Sequence, residues 1–180
     1  MSWKKLKSES VFKSKYFDLS VDECETESGL RVPKYYVVDF PDWVQTVAVD
    51  EAGQLILVDQ YRYPGKGSFL EFPGGSTDAS RAEDPRVAAE RELLEETGHS
   101  SSEWIYLGSH FPNPALQTNR CHSYLALKCR KVAELKLDAF EELTVTKMSV
   151  DDYLKHCRSQ SQNHSLMLAT LFLALPYLNK

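Results

Sequence analysis

The residues best suited to chemistry lie in the segment Arg91-Glu92-Leu93-Leu94-Glu95-Glu96. On a helix, positions three and four apart share a face, so Glu92, Glu95 and Glu96 crowd together. Like charges at that spacing repel by a few tenths of a kcal/mol per pair, roughly. A hard divalent cation offsets this repulsion, and Mg²⁺ prefers carboxylate oxygens while sharing its shell with water and phosphate. Arg91 stands four residues before Glu95 and can pair with it, or orient a loop carboxylate such as Glu83. A bare E-x-x-E-E is most simply a solvated acidic helix face. Here the helix also stops at Gly98 and follows a Gly74-Gly75 loop with Glu83 midway, a combination that is hard to obtain by chance.

Two further side chains could touch a phosphorylated ligand. Arg62 ends an apolar strand that runs into a Gly-rich loop, where a guanidinium can hold a phosphate in bidentate fashion. The structural alternative is an ion pair with Glu71. Trp43 precedes a central strand and could stack on a nucleobase or simply pack. Arg62, Trp43 and Glu71 therefore form the candidate substrate-contacting set. The cysteines, Cys24, Cys121, Cys129 and Cys157, include no C-x-x-C pair, so structural zinc and a redox pair are not expected. They read as inert thiols of a reducing, cytoplasmic compartment. The histidines show no metal-ligand spacing and read as surface or packing residues.

These groups need elements to position them. A helix is expected from Asp84, which can cap it, with Pro85 at the first helical position and Gly98 as the stop. Strands are expected at Lys15–Glu25 and Val32–Phe40 around the turn Glu27–Leu30. Two more, Val44–Val49 and Leu55–Gln60, join through Asp50–Gly53. A Pro/Gly-rich loop is expected from Tyr63 to Ala79. Later strands are expected at Ile105–Leu107, Cys121–Leu127 and Leu143–Met148, and helices at Val150–Cys157 and about Ser161–Leu175. The order strands, helix, strands, helices argues an α/β/α sandwich around a mixed sheet. The first ~40 residues hold few apolar positions and cannot bury much core alone.

The chain has 180 residues and a net charge of −5. That length suits one domain with a small attached subdomain. The charge gives no sign of nucleic-acid or anionic-membrane binding. No stretch approaches the roughly 20 apolar residues of a membrane span. The start, M-S-W-K-K-L-K, lacks an apolar run, so no secretory signal is expected.

The string Gly75-x7-Glu83-x7-Arg91-Glu92-Leu93-Leu94-Glu95-Glu96-Thr97-Gly98-His99 resembles the signature of Nudix hydrolases, G-x5-E-x7-R-E-U-x-E-E-x-G-U with U aliphatic. Everything from Glu83 to Gly98 matches. The Gly-to-Glu spacing is two residues longer, which is expected to lengthen the loop without moving the helix carboxylates. His99 replaces an aliphatic residue past the helix stop and is expected to matter little. L-I-L-V-D-Q-Y-R-Y followed by E-F-P-G-G, together with the N-terminal strand pair, is similar to the branch that hydrolyses ADP-ribose and nucleoside diphosphate sugars. That branch usually reads E-x-P-A-G, and Gly74 is expected to serve as well as Ala, because a backbone carbonyl is used there.

The resemblance implies an α/β Nudix sandwich over 42–180 and an N-terminal antiparallel β subdomain over 1–41 at a homodimer interface. It implies Glu92 and Glu96 as the main metal ligands, with Glu95 and the Gly74 carbonyl completing the site. The ion is expected to be Mg²⁺, with Mn²⁺ as the alternative. The general base is expected in the acidic loop Leu137–Val145, at Glu141 or Glu142; Glu95 and Arg91 join them as candidate catalytic residues. The loop His110–Ala115 matches a substrate-facing loop of the branch. An Asp-x-Lys pair that often opens the last helix in relatives acting on diphosphate sugars is absent at Gln162-Asn163-His164-Ser165, which leaves ADP-ribose ahead. The expected reaction is hydrolysis of ADP-ribose or a related nucleoside diphosphate sugar to a nucleoside monophosphate and a sugar phosphate. The rivals are a Nudix hydrolase of another diphosphate, such as a dinucleoside polyphosphate or capped RNA, and a silent ADP-ribose-sensing module. RNA would want a basic stripe, and a silent module should have lost carboxylates that this chain keeps.

Overall fold

The computed structural model describes residues 2–178, so the outermost residues of the two expected regions lie outside it. The chain divides into two compact units: residues up to Asp42 with Phe111–Arg120, and Trp43–His110 with the chain from Cys121 onward.

In the first unit β1 (Trp3–Lys13), β2 (Asp18–Thr26) and β3 (Arg31–Asp39) form an antiparallel sheet in that order. Gly29, at φ +83°, supplies the left-handed residue of the β2–β3 turn. β3 is tied to the 111–120 segment by Val38 N–H to Leu116 O (2.9 Å) and Tyr35 O–H to Ala115 O (2.8 Å). The expected strand pair corresponds to β2 and β3. β1 was not expected, because W-K-K-L-K-S-E-S-V-F-K lacks a clear apolar alternation, and every one of its positions is exposed.

The second unit is built on a mixed sheet. Its elements are β4 (Trp43–Asp50), β5 (Leu55–Arg62), β6 (Gly67–Glu71), β7 (Gly74–Ser76), α1 (Pro85–Thr97), β8 (His99–Ser100), β9 (Glu103–His110), β10 (Cys121–Lys131), β11 (Leu143–Met148), α2 (Val150–Ser159) and α3 (Ser165–Leu178). The order is β11-β5-β4-β10-β8, with β6 on β5, β7 on β4 and β9 on β10; β4 and β10 run parallel. The central strands are covered on both faces, which is why they read as continuous apolar runs. Alternation then sorts their side chains. Val47, Val49, Leu55, Leu57 and Leu125 pack with Tyr153 of α2 and Leu166, Met167, Leu171 and Ala174 of α3. Ala48, Ile56 and Ala126 pack with Leu93 of α1, joined by Val145, and Val44 and Tyr124 pack with Ala88 and Ala89 of α1. The layers are α1, sheet, α2 with α3, as expected. Thr170, which interrupts the apolar run of α3, is fully buried and satisfied: its hydroxyl lies 3.1 Å from Gln45 Oε1 and 2.9 Å from Ser123 Oγ.

The expected loop from Tyr63 to Ala79 is the largest difference. It contains β6 and β7, which fill the gap where β4 and β5 diverge. β4 and β5 pair only at Ala48–Ile56 and Val49–Leu55; beyond that point β5 pairs with β6 and β4 with β7. Two strands this short and this rich in glycine carry little local signal and exist through their pairing.

Candidate active site

The geometry begins with the ends of α1. Asp84 Oδ1 accepts the Arg86 N–H at 2.7 Å, Pro85 opens the helix, and Gly98 at φ +70° closes it with its N–H on Leu94 O at 2.9 Å. These caps fix the rotation of the helix. With Ala88, Ala89 and Leu93 turned to the sheet, Glu92 and Glu96 lie beside the Gly74-Gly75 segment. Glu96 is 4% exposed, and its Oε2 accepts the Gly74 N–H at 2.9 Å. Burial pushes the Glu96 carboxyl up to about 8 against the opposing Gly74 N–H, and the Glu92 and Glu141 charges push the same way. Burial likewise raises Glu92, with Arg91 opposing and Glu95 and Glu141 adding to the rise.

Close approach requires glycine at 74, where the neighbour is backbone, while at 75 the neighbour is the movable end of the Glu92 side chain. A Cβ on Gly75 would lie 2.4 Å from Glu92 Oε1, and one on Gly74 would lie 2.1 Å from Val44 O. In this chain β7 runs too close to the Val44 carbonyl of β4 for a methyl group at position 74, a steric demand separate from the expected use of the Gly74 carbonyl. Gly74→Ala is expected to cost about 1–3 kcal/mol through the forced backbone shift, read as a lower urea midpoint at unchanged slope.

Arg91 is the hub of the acidic cluster. Its Nε and Nη2 grip Glu83 Oε1 (3.0 Å) and Oε2 (3.1 Å), its Nη1 reaches Glu92 (2.8 Å) and Glu95 (3.1 Å), and Nη2 also donates to Ser76 O (3.1 Å). Both alternatives for Arg91 hold at once. Glu83 also accepts the Asp78 N–H at 2.8 Å, so the longer loop still delivers this carboxylate to the cluster. The Arg91 partner holds Glu83 below the usual carboxylate range despite opposing burial.

Strand register places the other candidates. Ile56 faces α1, so Val58, Gln60 and Arg62 follow on that face, and Glu71, paired with Val58, shares it. Arg62 Nε donates to Glu71 Oε1 at 3.1 Å and Nη2 to Oε2 at 2.6 Å. The ion pair considered from sequence is thus present, and it leaves Nη1 without a hydrogen bond among the described residues. Val145 also faces α1. Glu141 and Glu142 lie just before β11: Glu141 is half-buried and closes a turn, its N–H on Asp138 O (3.0 Å) and its Oε2 accepting the Asp138 N–H (3.0 Å), whereas Glu142 is exposed. The Glu141 charge acts on Arg62, Glu92 and Glu96. The loop before it is tied to α1 by Lys136 N–H on the Glu95 carbonyl, 2.8 Å.

Trp43 is partly buried and packs against the core beneath α2 and α3. His99, expected to matter little, is 5% exposed with Nδ1 2.7 Å from Thr97 O, so it fills the aliphatic position as a buried, hydrogen-bonded ring. The residue that sequence reasoning missed is His164, whose Nδ1 lies 3.1 Å from Glu71 Oε1. Its sole sequence signal was its place at the start of the last helix. Among the described residues no three carboxylate, imidazole or thiol groups converge as a ready metal cage, since Glu92 and Glu95 turn to Arg91. The donor set nonetheless fits a hard cation: oxygen ligands only, one of them a buried glutamate with a single hydrogen bond, on a face with excess negative charge.

The model of the NUDIX domain matches residues 40–169, and that of the nucleoside diphosphate sugar hydrolase N-terminal domain matches residues 3–38. The chain is 30% identical to an ADP-ribose pyrophosphatase of Bacillus subtilis (strain 168) over 87% of its own length and 84% of the relative's. The same figures hold for a methanol dehydrogenase activator of Bacillus methanolicus. A crystal structure of an ADP compounds hydrolase superposes with a TM-score of 0.84 at 22% identity, covering 99% of this chain and 95% of that one.

Proposed function

The chain belongs to the Nudix family, and on that premise we propose that it hydrolyses the pyrophosphate bond of ADP-ribose or a related nucleoside diphosphate sugar, giving a nucleoside monophosphate and a sugar phosphate. The observation that carries the reading is the placement of Glu92 and Glu96 on a capped helix directly against Gly74 and Gly75. The N-terminal match to diphosphate sugar hydrolases supports the substrate class, and with it a division into a β subdomain over 1–41 and a catalytic domain over 42–180.

Nudix ADP-ribose pyrophosphatases depend on a divalent metal, and we assign Mg²⁺, with Mn²⁺ as the alternative. Glu92 and Glu96 would hold it, with Glu95 and the Gly74 carbonyl completing the set. When bound, it supplies charge to screen the diphosphate and lowers the pKa of the attacking water. The protein's own groups do the rest. Arg91 orients Glu83, Glu92 and Glu95. Arg62, braced by Glu71, offers its remaining donors to a phosphate. Glu141, whose charge acts on Arg62, Glu92 and Glu96, is the proposed general base, and Glu142 is its control. Trp43 is the proposed aromatic contact for the base. The test is a panel of ADP-ribose, UDP-sugars, dinucleoside polyphosphates and capped RNA with Mg²⁺ or Mn²⁺. The highest kcat/KM is expected for ADP-ribose, and a preference for capped RNA or dinucleoside polyphosphates would move the assignment.

We further propose a homodimer joined through the N-terminal sheet. β1 is exposed along its whole length, with Trp3 at 53% and Phe12 at 50%, and apolar surface of this kind marks an interaction face. Sedimentation is expected to show a dimer; a fully active monomer at micromolar concentration would rule out a shared site. Among the described residues no helix is long and apolar enough to cross a membrane, and none of the cysteines is in a disulfide. The free cysteines fit the reducing, cytoplasmic location we propose.

A further inference from the structure

We infer that His164 is a positioning residue for Arg62, acting through the buried carboxylate of Glu71 to hold the guanidinium fork against the substrate's phosphate. The inference rests on the proposed hydrolase reading, in which Arg62 faces the diphosphate.

Glu71 is 2% exposed. A buried carboxylate must have its lone pairs satisfied, and each missing partner carries a penalty. Arg62 occupies both oxygens, with Nε on Oε1 at 3.1 Å and Nη2 on Oε2 at 2.6 Å. His164 Nδ1 lies 3.1 Å from Oε1, so that oxygen is held from two sides and the carboxylate plane is fixed. The neutral ring with its proton on Nδ1 and the imidazolium both donate there. Arg62 is 42% exposed at its side chain, so solvent would let it wander if Glu71 could rotate. A planar fork holds a phosphate well only when its orientation is set beforehand.

His164 is itself held in place. Its backbone oxygen accepts the Met167 N–H at 3.1 Å where α3 begins, and the preceding Asn163 side chain donates to Cys157 O at 2.8 Å. Its ring meets the edge of Phe69, centroids 6.3 Å apart. Phe69 in turn fills the space beside Gly65, where a Cβ would lie 2.8 Å from its Cε2. The ring also lines a cavity of about 570 Å³ with Asp59, Phe69 and Asn163, and its side chain is 33% exposed. Removing it therefore opens no void in the core, and its effect falls on Glu71 and Arg62.

The test is a set of variants assayed with ADP-ribose and saturating Mg²⁺. His164→Ala is expected to raise KM about tenfold while kcat stays within about twofold, the pattern of lost uniform binding. His164→Asn, whose amide N–H falls near the position of Nδ1, is expected to keep KM within about threefold of wild type, and His164→Gln, which reaches past it, is expected to behave like Ala. In an Arg62→Ala background, His164→Ala is expected to add less than about twofold, because residues acting in series are not additive. An unchanged KM in His164→Ala, or the same tenfold increase without Arg62, overturns the inference. If His164→Ala does not fold, equal KM values for the Asn and Gln variants overturn it instead. A wild-type chain inert toward every diphosphate would remove the hydrolase reading, a different result from an active chain with additive variants.

Discussion

Glu96→Gln is expected to lower metal-dependent kcat on ADP-ribose by about 10³-fold or more, several kcal/mol of transition-state stabilisation. Folding should not suffer. Gln keeps the shape and still accepts the Gly74 N–H. Burial has pushed the Glu96 carboxyl from an ordinary 4.5 to about 8, so the folded chain retains a proton that the unfolded chain releases. Stability contributed by such a group is full below the unfolded value and falls as pH rises toward the folded one. In EDTA, the variant should therefore melt above wild type near pH 8, with the gap closing toward about pH 5, where the carboxyl is protonated in the folded chain. Near-normal turnover in Glu96→Gln would remove the metal assignment, and a uniformly lower melting temperature would show that Glu96 is structural.

The second large effect separates two adjacent residues. Glu141→Gln is expected to lower kcat by roughly 10²–10⁴-fold with little change in KM, the usual worth of a positioned general base. Glu142→Gln is expected to be nearly silent. The difference follows from their surroundings, because Glu141 is half-buried with its charge acting on Arg62, Glu92 and Glu96, whereas Glu142 is exposed. If both variants keep more than about a tenth of wild-type kcat, far above the expected loss, this loop does not supply the base and Glu95 becomes the leading candidate.

What was legible in the sequence was local. The cap at Asp84, Pro85 and Gly98 and the spacing of Glu92, Glu95 and Glu96 sit within one element, so its period alone aligns them. The runs Val44–Val49 and Leu55–Gln60 were legible because their apolar parts, Val44–Val49 and Leu55–Val58, are buried on both faces. What escaped depends on distant partners. β6 and β7 exist because β4 and β5 diverge, and Gly74 is fixed by the Val44 carbonyl on another strand. Glu71 binds His164 across 93 positions of chain, a distance no motif spans. The proposed preference for Glu141 over Glu142 rests on burial and on charges from distant elements, since adjacent glutamates look alike in sequence.

The most direct test of the central claim is ³¹P NMR of ADP-ribose incubated with the protein and Mg²⁺. The account predicts that the diphosphate resonances give way to two phosphomonoester resonances of equal intensity, AMP and ribose phosphate, and that EDTA stops the conversion. Diphosphate resonances that persist with either Mg²⁺ or Mn²⁺, or products that keep the pyrophosphate bond intact, would contradict it.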